Sequence, residues 1–230
     1  MENFKIIKGF RNERDIDRLK VKFDTLSSWK DCNSVLIENN LKGIVVQSES
    51  HDKKHSVDFS FLKELSFLEY FEWLVPLTQK SDISLLFTLK KLKYLRWLPN
   101  NIFELDFSKL TSIETLFTSD YGRMENWNSL TNLKVLSISK LQKENCGFIS
   151  NLKELTDLKL SRTNIASIEG LECCNKMERL ELTYCPQIKE LTSVLRNNPN
   201  IISVSIRKCK SINRNEIENI EKLGISVWVE

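Results

Sequence analysis

The pattern Leu-x-x-Leu-x-Leu, recurring all along the chain, is what most constrains its fold. LTDLKL starts at Leu155, LKVLSI at Leu133, MERLEL at Met177 and IISVSI at Ile201. Upstream, IETLFT starts at Ile113, LKYLRW at Leu92, LEYFEW at Leu68 and LKGIVV at Leu41. From Leu41 to Ile201 the successive steps are 27, 24, 21, 20, 22, 22 and 24 residues. A period of roughly 20–29 residues is the mark of a solenoid in which each turn contributes one strand. The first, fourth and sixth residues of each turn face inward or enter the strand. The return segment adds further apolar residues, such as Ile165, Ile168 and Leu171. No turn can bury its own apolar face, so turns must stack, and stacked turns place their strands side by side in a parallel sheet.

At the ninth position, where the chain leaves the strand, stand Asn100, Thr163, Cys185 and Cys209. A small polar side chain there can hydrogen-bond the backbone of the bend, which would otherwise go unsatisfied. Tyr121 and Leu141 depart from this rule. On these residues the chain resembles the leucine-rich repeat family over roughly residues 41–230. LTDLKLSRTNIASIEGL is similar to its 22-residue subtype, and LELTYCPQI and VSIRKCKSI to its cysteine-containing subtype. The resemblance implies an α/β leucine-rich repeat solenoid of eight repeats plus terminal caps, with a curved parallel sheet on the concave face. On function it is nearly silent.

An open solenoid exposes apolar ends, so caps are expected. Residues 1–40 read as the N-terminal cap, 41–212 as repeats and 213–230 as the C-terminal cap. In the first cap, FKII and RLKVKF read as short strands. A helix follows, with Asp24 as N-cap and Leu26, Trp29 and Leu36 near one face. In the last cap, NRNEIENIEKLG reads as a helix closed by Gly224, and ISVWVE as a strand alternating Ile225, Val227 and Val229.

Composition narrows the function classes. With 34 basic and 31 acidic residues the formal charge is +3, which gives little pull toward nucleic acid or a membrane surface. The N-terminus MENFKIIKGFRNERD has no apolar signal-like stretch, and no run approaches the ~20 apolar residues of a membrane span. A cytoplasmic location and reduced thiols for Cys32, Cys146, Cys173, Cys174, Cys185 and Cys209 are the expectation.

Candidate chemistry is sparse. His51 and His55 form an i,i+4 pair in SESHDKKHS, but Asp52 stands where a metalloprotease needs Glu, and the setting is a polar loop. The cysteines show no C-x-x-C, and Cys185 and Cys209 already serve the ninth position, so neither metal nor redox chemistry is expected. There is no phosphate-binding glycine loop and no G-x-S-x-G. The expectation is a non-enzyme with no cofactor.

What remains is a surface. Positions three, five and seven of each strand face the concave side. Tyr70, Glu72, Leu74, Tyr94, Arg96, Leu98 and Phe117 form an aromatic and aliphatic cluster there. Asp157, Lys159, Arg162, Arg179, Glu181 and Tyr184 form a mixed-charge cluster. Tyr and Arg are enriched at binding hot spots, and an apolar cluster exposed on a sheet wants a partner. Against this, Tyr70 and Tyr94 would serve equally well as packing on the cap, and alternating charges as a solvated face. The reading is a protein that binds another protein, as a cytoplasmic inhibitor or an immunity-type protein that neutralises a toxin. An adaptor resembling ubiquitin-ligase receptors is the alternative. An enzyme or nucleic-acid binder is disfavoured by the charge balance and the two histidines.

Overall fold

Apolar residues at positions one, four and six bury themselves in every turn. Leu155, Leu160 and Leu182 are wholly inaccessible, and Leu158 and Leu180 nearly so. The computed structural model describes residues 4–9, 16–50, 52–98, 103–120 and 122–230. His51, Asn100 and Tyr121 lie outside the described residues. The chain forms two compact units, Met1–Phe103 and Glu104–Glu230.

The first unit contains β1 (Phe4–Ile7), β2 (Arg18–Lys22), α1 (Trp29–Glu38), β3 (Gly43–Gln47), β4 (Tyr70–Trp73) and β5 (Tyr94–Trp97). β1 pairs antiparallel with β2. The pairs β2–β3, β3–β4 and β4–β5 are all parallel. β2 sits in register with β3, Leu19 beside Ile44 and Val21 beside Val46. Ile16, Leu19 and Val21 thus repeat the one-four-six spacing ahead of Leu41. Beneath the strands lies an aromatic core: Phe59, Phe71 and Trp73 are buried, and Trp29 stacks on Phe61 with centroids 3.8 Å apart.

Ser28, not Asp24, caps α1: its hydroxyl accepts from the Lys30 amide at 3.1 Å. Asp24 is taken up elsewhere, accepting from the Glu49 amide at 2.7 Å and the Ser48 hydroxyl at 2.9 Å. Cys32, Asn33 and Leu36 are the helix residues that become buried.

The second unit contains β6 (Leu105–Asp106), β7 (Thr115–Ser119), β8 (Met124–Glu125), β9 (Val135–Ser139), β10 (Asp157–Ser161), β11 (Arg179–Thr183), α2 (Thr192–Leu195), β12 (Ser203–Arg207), α3 (Arg214–Glu221) and β13 (Ser226–Val229). Strands β7, β9, β10, β11, β12 and β13 pair in parallel, in that order, and β6 pairs with β8 in a small second sheet. Leu136, Leu158, Leu180, Val204 and Val227 lie in one register row, so each inward side chain packs on its counterpart in the next turn. Short 3-10 turns such as Trp127–Ser129 and Leu171–Cys173 carry the chain back.

At the ninth position the Cys185 thiol donates to the Leu160 carbonyl at 3.6 Å, and the Cys209 sulfur accepts from the Cys185 amide at 3.4 Å. Leu141 fills the same slot with an apolar side chain and is buried. Asn213 caps α3, accepting from the Glu216 amide at 3.0 Å, and Gly224 follows the helix at φ 81°.

Candidate functional site

Side chains at positions three, five and seven point away from the core, and what they offer differs between the units. In the first unit the expected aromatic cluster is closed on itself. Tyr70 is 4% exposed and Glu72 8%. Gly43, between Arg18 and Tyr70 in register, has no side chain; a Cβ there would come within 2.8 Å of the Arg18 Cβ. That gap lets the Arg18 guanidinium lie over the Tyr70 ring at 4.6 Å, while Tyr94 stacks on the ring with centroids 4.0 Å apart. The Tyr70 hydroxyl donates to Glu72, which Arg96 approaches at 3.8 Å. Burial drives the Tyr94 phenol up to about 12 and the Tyr70 phenol further. Tyr70 and Glu72 are therefore internal supports and not exposed anchors. Tyr94, Arg96, Leu74 and Leu98 remain half-buried and in part accessible.

The second unit presents an open face. Phe117 belongs to it, and Phe117, Ser137, Lys159, Glu181, Ser205 and Trp228 form its position-five row. Five strand steps of ~4.8 Å separate the two aromatic residues by about 24 Å. Between them the charges are already matched. Arg179 makes two hydrogen bonds to Asp157, one of 3.0 Å, and Lys159 reaches Glu181 at 2.7 Å. Arg207 lies 2.8 Å from Glu230 and 3.9 Å from Glu181. A depression of about 280 Å³ runs along this face, lined by Phe117, Val135, Lys159, Arg179, Glu181 and Trp228 among others. Trp228 is 72% exposed, the most accessible large apolar side chain among the described residues.

Trp228 is absent from the residues singled out by sequence. A signal existed: if Val227 faces the core, period-two alternation sends Trp228 to the opposite face. Among the described residues, no three or more His, Cys, Asp or Glu side chains are grouped to hold a metal. His55 packs edge-on against Phe23 with centroids 4.8 Å apart.

No protein-family model matches the sequence, and neither does a curated protein. Solved structures do match. Internalin C2 of Listeria monocytogenes is 17% identical over 84% of this chain and 82% of its own, with a TM-score of 0.59. A leucine-rich repeat protein of Leptospira interrogans is 17% identical over 91% of this chain and 58% of its own, at 0.60. A chain of the Toll–Spatzle complex of Drosophila is 11% identical over 90% of this chain and 34% of its own, at 0.63.

The chain has the leucine-rich repeat fold. In a leucine-rich repeat the strand is the one segment whose geometry recurs in every turn. Outward residues therefore form straight rows, and the row carrying Phe117 and Trp228 is a lattice on which spacing is set by the backbone.

Proposed function

We propose that this leucine-rich repeat chain works by binding a protein on the outward sheet face of its second unit. The observation that carries the reading is Trp228, exposed at one end of a depression whose charged side chains are already paired. An indole supplies a large contact area with two rotors to freeze, and the flanking ion pairs are held before a partner arrives. The partner then meets an apolar anchor inside a charged, solvent-exposed surround, the arrangement of a hot spot with its rim. Acting by occupancy alone, the chain would serve as an inhibitor, in its most specific form an immunity-type protein that neutralises a toxin in the cytoplasm.

The test is to capture the partner, identify it by mass spectrometry, purify it and titrate it calorimetrically. Trp228→Ala should weaken binding by about 2 kcal/mol or more, as hot spots do. Lys159→Ala should cost less and change mainly the salt dependence. A larger loss from Tyr94→Ala or Arg96→Ala than from Trp228→Ala would move the site to the first unit. A partner that is a toxin rendered inactive in the complex would support the immunity role, and one that stays active would defeat it.

A further inference from the structure

Four successive turns of the second unit place position eight in the left-handed backbone region: Lys140 at φ 57°, Arg162 at 52°, Tyr184 at 54° and Lys208 at 53°. The bend is held by a backbone ladder in which each of these amides donates to the position-seven carbonyl of the next strand, for example Arg162 to Thr183 at 2.8 Å and Tyr184 to Arg207 at 2.9 Å. Such a conformation suits Gly or Asn and strains other side chains. Elsewhere among the described residues this chain obeys that rule, using Asn40, Asn126, Gly122, Gly170 and Gly224 at positive φ. Among the described residues it accepts strain only at this row, and the residues it accepts are long, exposed and mostly cationic. Strain kept in one row and avoided elsewhere points to a use for the side chains themselves.

The surroundings name the chemistry. Residues 139–142, 161–164, 183–186 and 207–210 contain Lys140, Arg162, Arg207, Lys208 and Lys210 and not one carboxylate. Glu181 pairs with Lys159 and Arg207, and Glu230 pairs with Arg207 and acts on Lys208 only from farther off, so the row keeps an excess of positive charge. Tyr184 lies between two cations, 5.9 Å from Arg162 and 5.1 Å from the Lys208 ammonium, which also donates to its hydroxyl at 2.9 Å. We infer that this row is a docking rim for an acidic segment of a protein partner, whose carboxylates pair with Lys140, Arg162 and Lys208 across the Tyr184 ring. The inference rests on the reading that the second unit binds a protein.

The rim spans three strand steps, about 14 Å, which a short peptide covers. A longer polyphosphate strand crossing the same face would meet Asp157, Glu181 and Glu230, so the observations favour a protein segment over nucleic acid.

The probe is a fluorescein-labelled decaglutamate peptide, followed by fluorescence anisotropy at low and physiological salt. The wild-type chain should bind it with an affinity that falls as salt rises. The triple variant Lys140→Asn, Arg162→Asn, Lys208→Asn should bind about tenfold more weakly or worse. It should also melt at the same temperature as wild type or higher, because Asn tolerates the left-handed region. The control Lys53→Asn, Lys80→Asn, Lys189→Asn removes the same charge from exposed lysines elsewhere and should leave binding unchanged.

Absence of wild-type binding, equal loss in the control, or no loss in the triple variant would overturn the rim. Tighter binding of a decathymidylate than of decaglutamate would assign the row to nucleic acid and overturn it as well. Trp228→Ala should leave decaglutamate binding intact. If it does, yet has no effect on the captured partner, the sheet-face reading fails and the rim stands.

Discussion

Glu69 sits between two lysines of the neighbouring turns, 3.1 Å from the Lys42 ammonium and 2.8 Å from that of Lys93. The Lys93 hydrogen bond holds its carboxyl below the ordinary 4.5, with help from Lys42 and against the opposing effect of burial. A carboxyl whose pKa is lower folded than unfolded stabilises the fold fully above the unfolded value and loses that contribution as pH falls through the folded one. Glu69→Gln should therefore unfold at lower denaturant than wild type at neutral pH, with the two converging as pH drops below about 4.5. Denaturation midpoints across that range check it, and a constant gap would show that the lysines contribute nothing through charge. At this scale the sequence is least legible. Tyr70 reads as a surface aromatic until Gly43 lets Arg18 cover it from a strand 52 positions away. The left-handed row is equally hidden, because Lys, Arg, Tyr and Lys are not the residues that announce positive φ.

Among the elements, the strands were the most legible and the returns the least. A strand of four or five residues with apolar side chains at fixed positions can be read from spacing alone, and every pairing from β3 to β5 and from β7 to β12 follows the repeat register. The 3-10 turns, α2 and the small β6–β8 sheet carry no such period. The start of α1 shows why local signals mislead there. Asp24 and Ser28 are both good caps by residue type, and the choice falls to Ser28 because Ser48 and Glu49, far along the chain, claim the Asp24 carboxylate. The buried rows carry a direct test. Leu158→Ala or Leu180→Ala removes a side chain packed between counterparts on both neighbouring strands, so each should cost about 2–5 kcal/mol in chemical denaturation. A loss within measurement error at both would mean the row is not a packed core.

At the largest scale, repetition is what holds each unit together. Each turn buries its apolar positions against its neighbours, so cohesion is spread along the unit and needs no central ligand. Three of the buried cysteines fit that account. Burial raises the Cys32 thiol to about 12 and the Cys174 thiol to about 11, and pushes Cys146 up as well, whereas a metal ligand must lose its proton. The Cys185 and Cys209 thiols are engaged with the Leu160 and Arg207 carbonyls at 3.6 and 3.3 Å. Stability should accordingly be indifferent to metal. Dialysis against a strong chelator should leave the thermal midpoint where it was, and added zinc should not raise it. The comparison is informative because a structural metal contributes its binding energy to folding, so its removal would lower the midpoint by many degrees. A fall of that size would place a metal among the thiols or at the histidines of the first return. The stacked apolar side chains would then not hold the fold unaided.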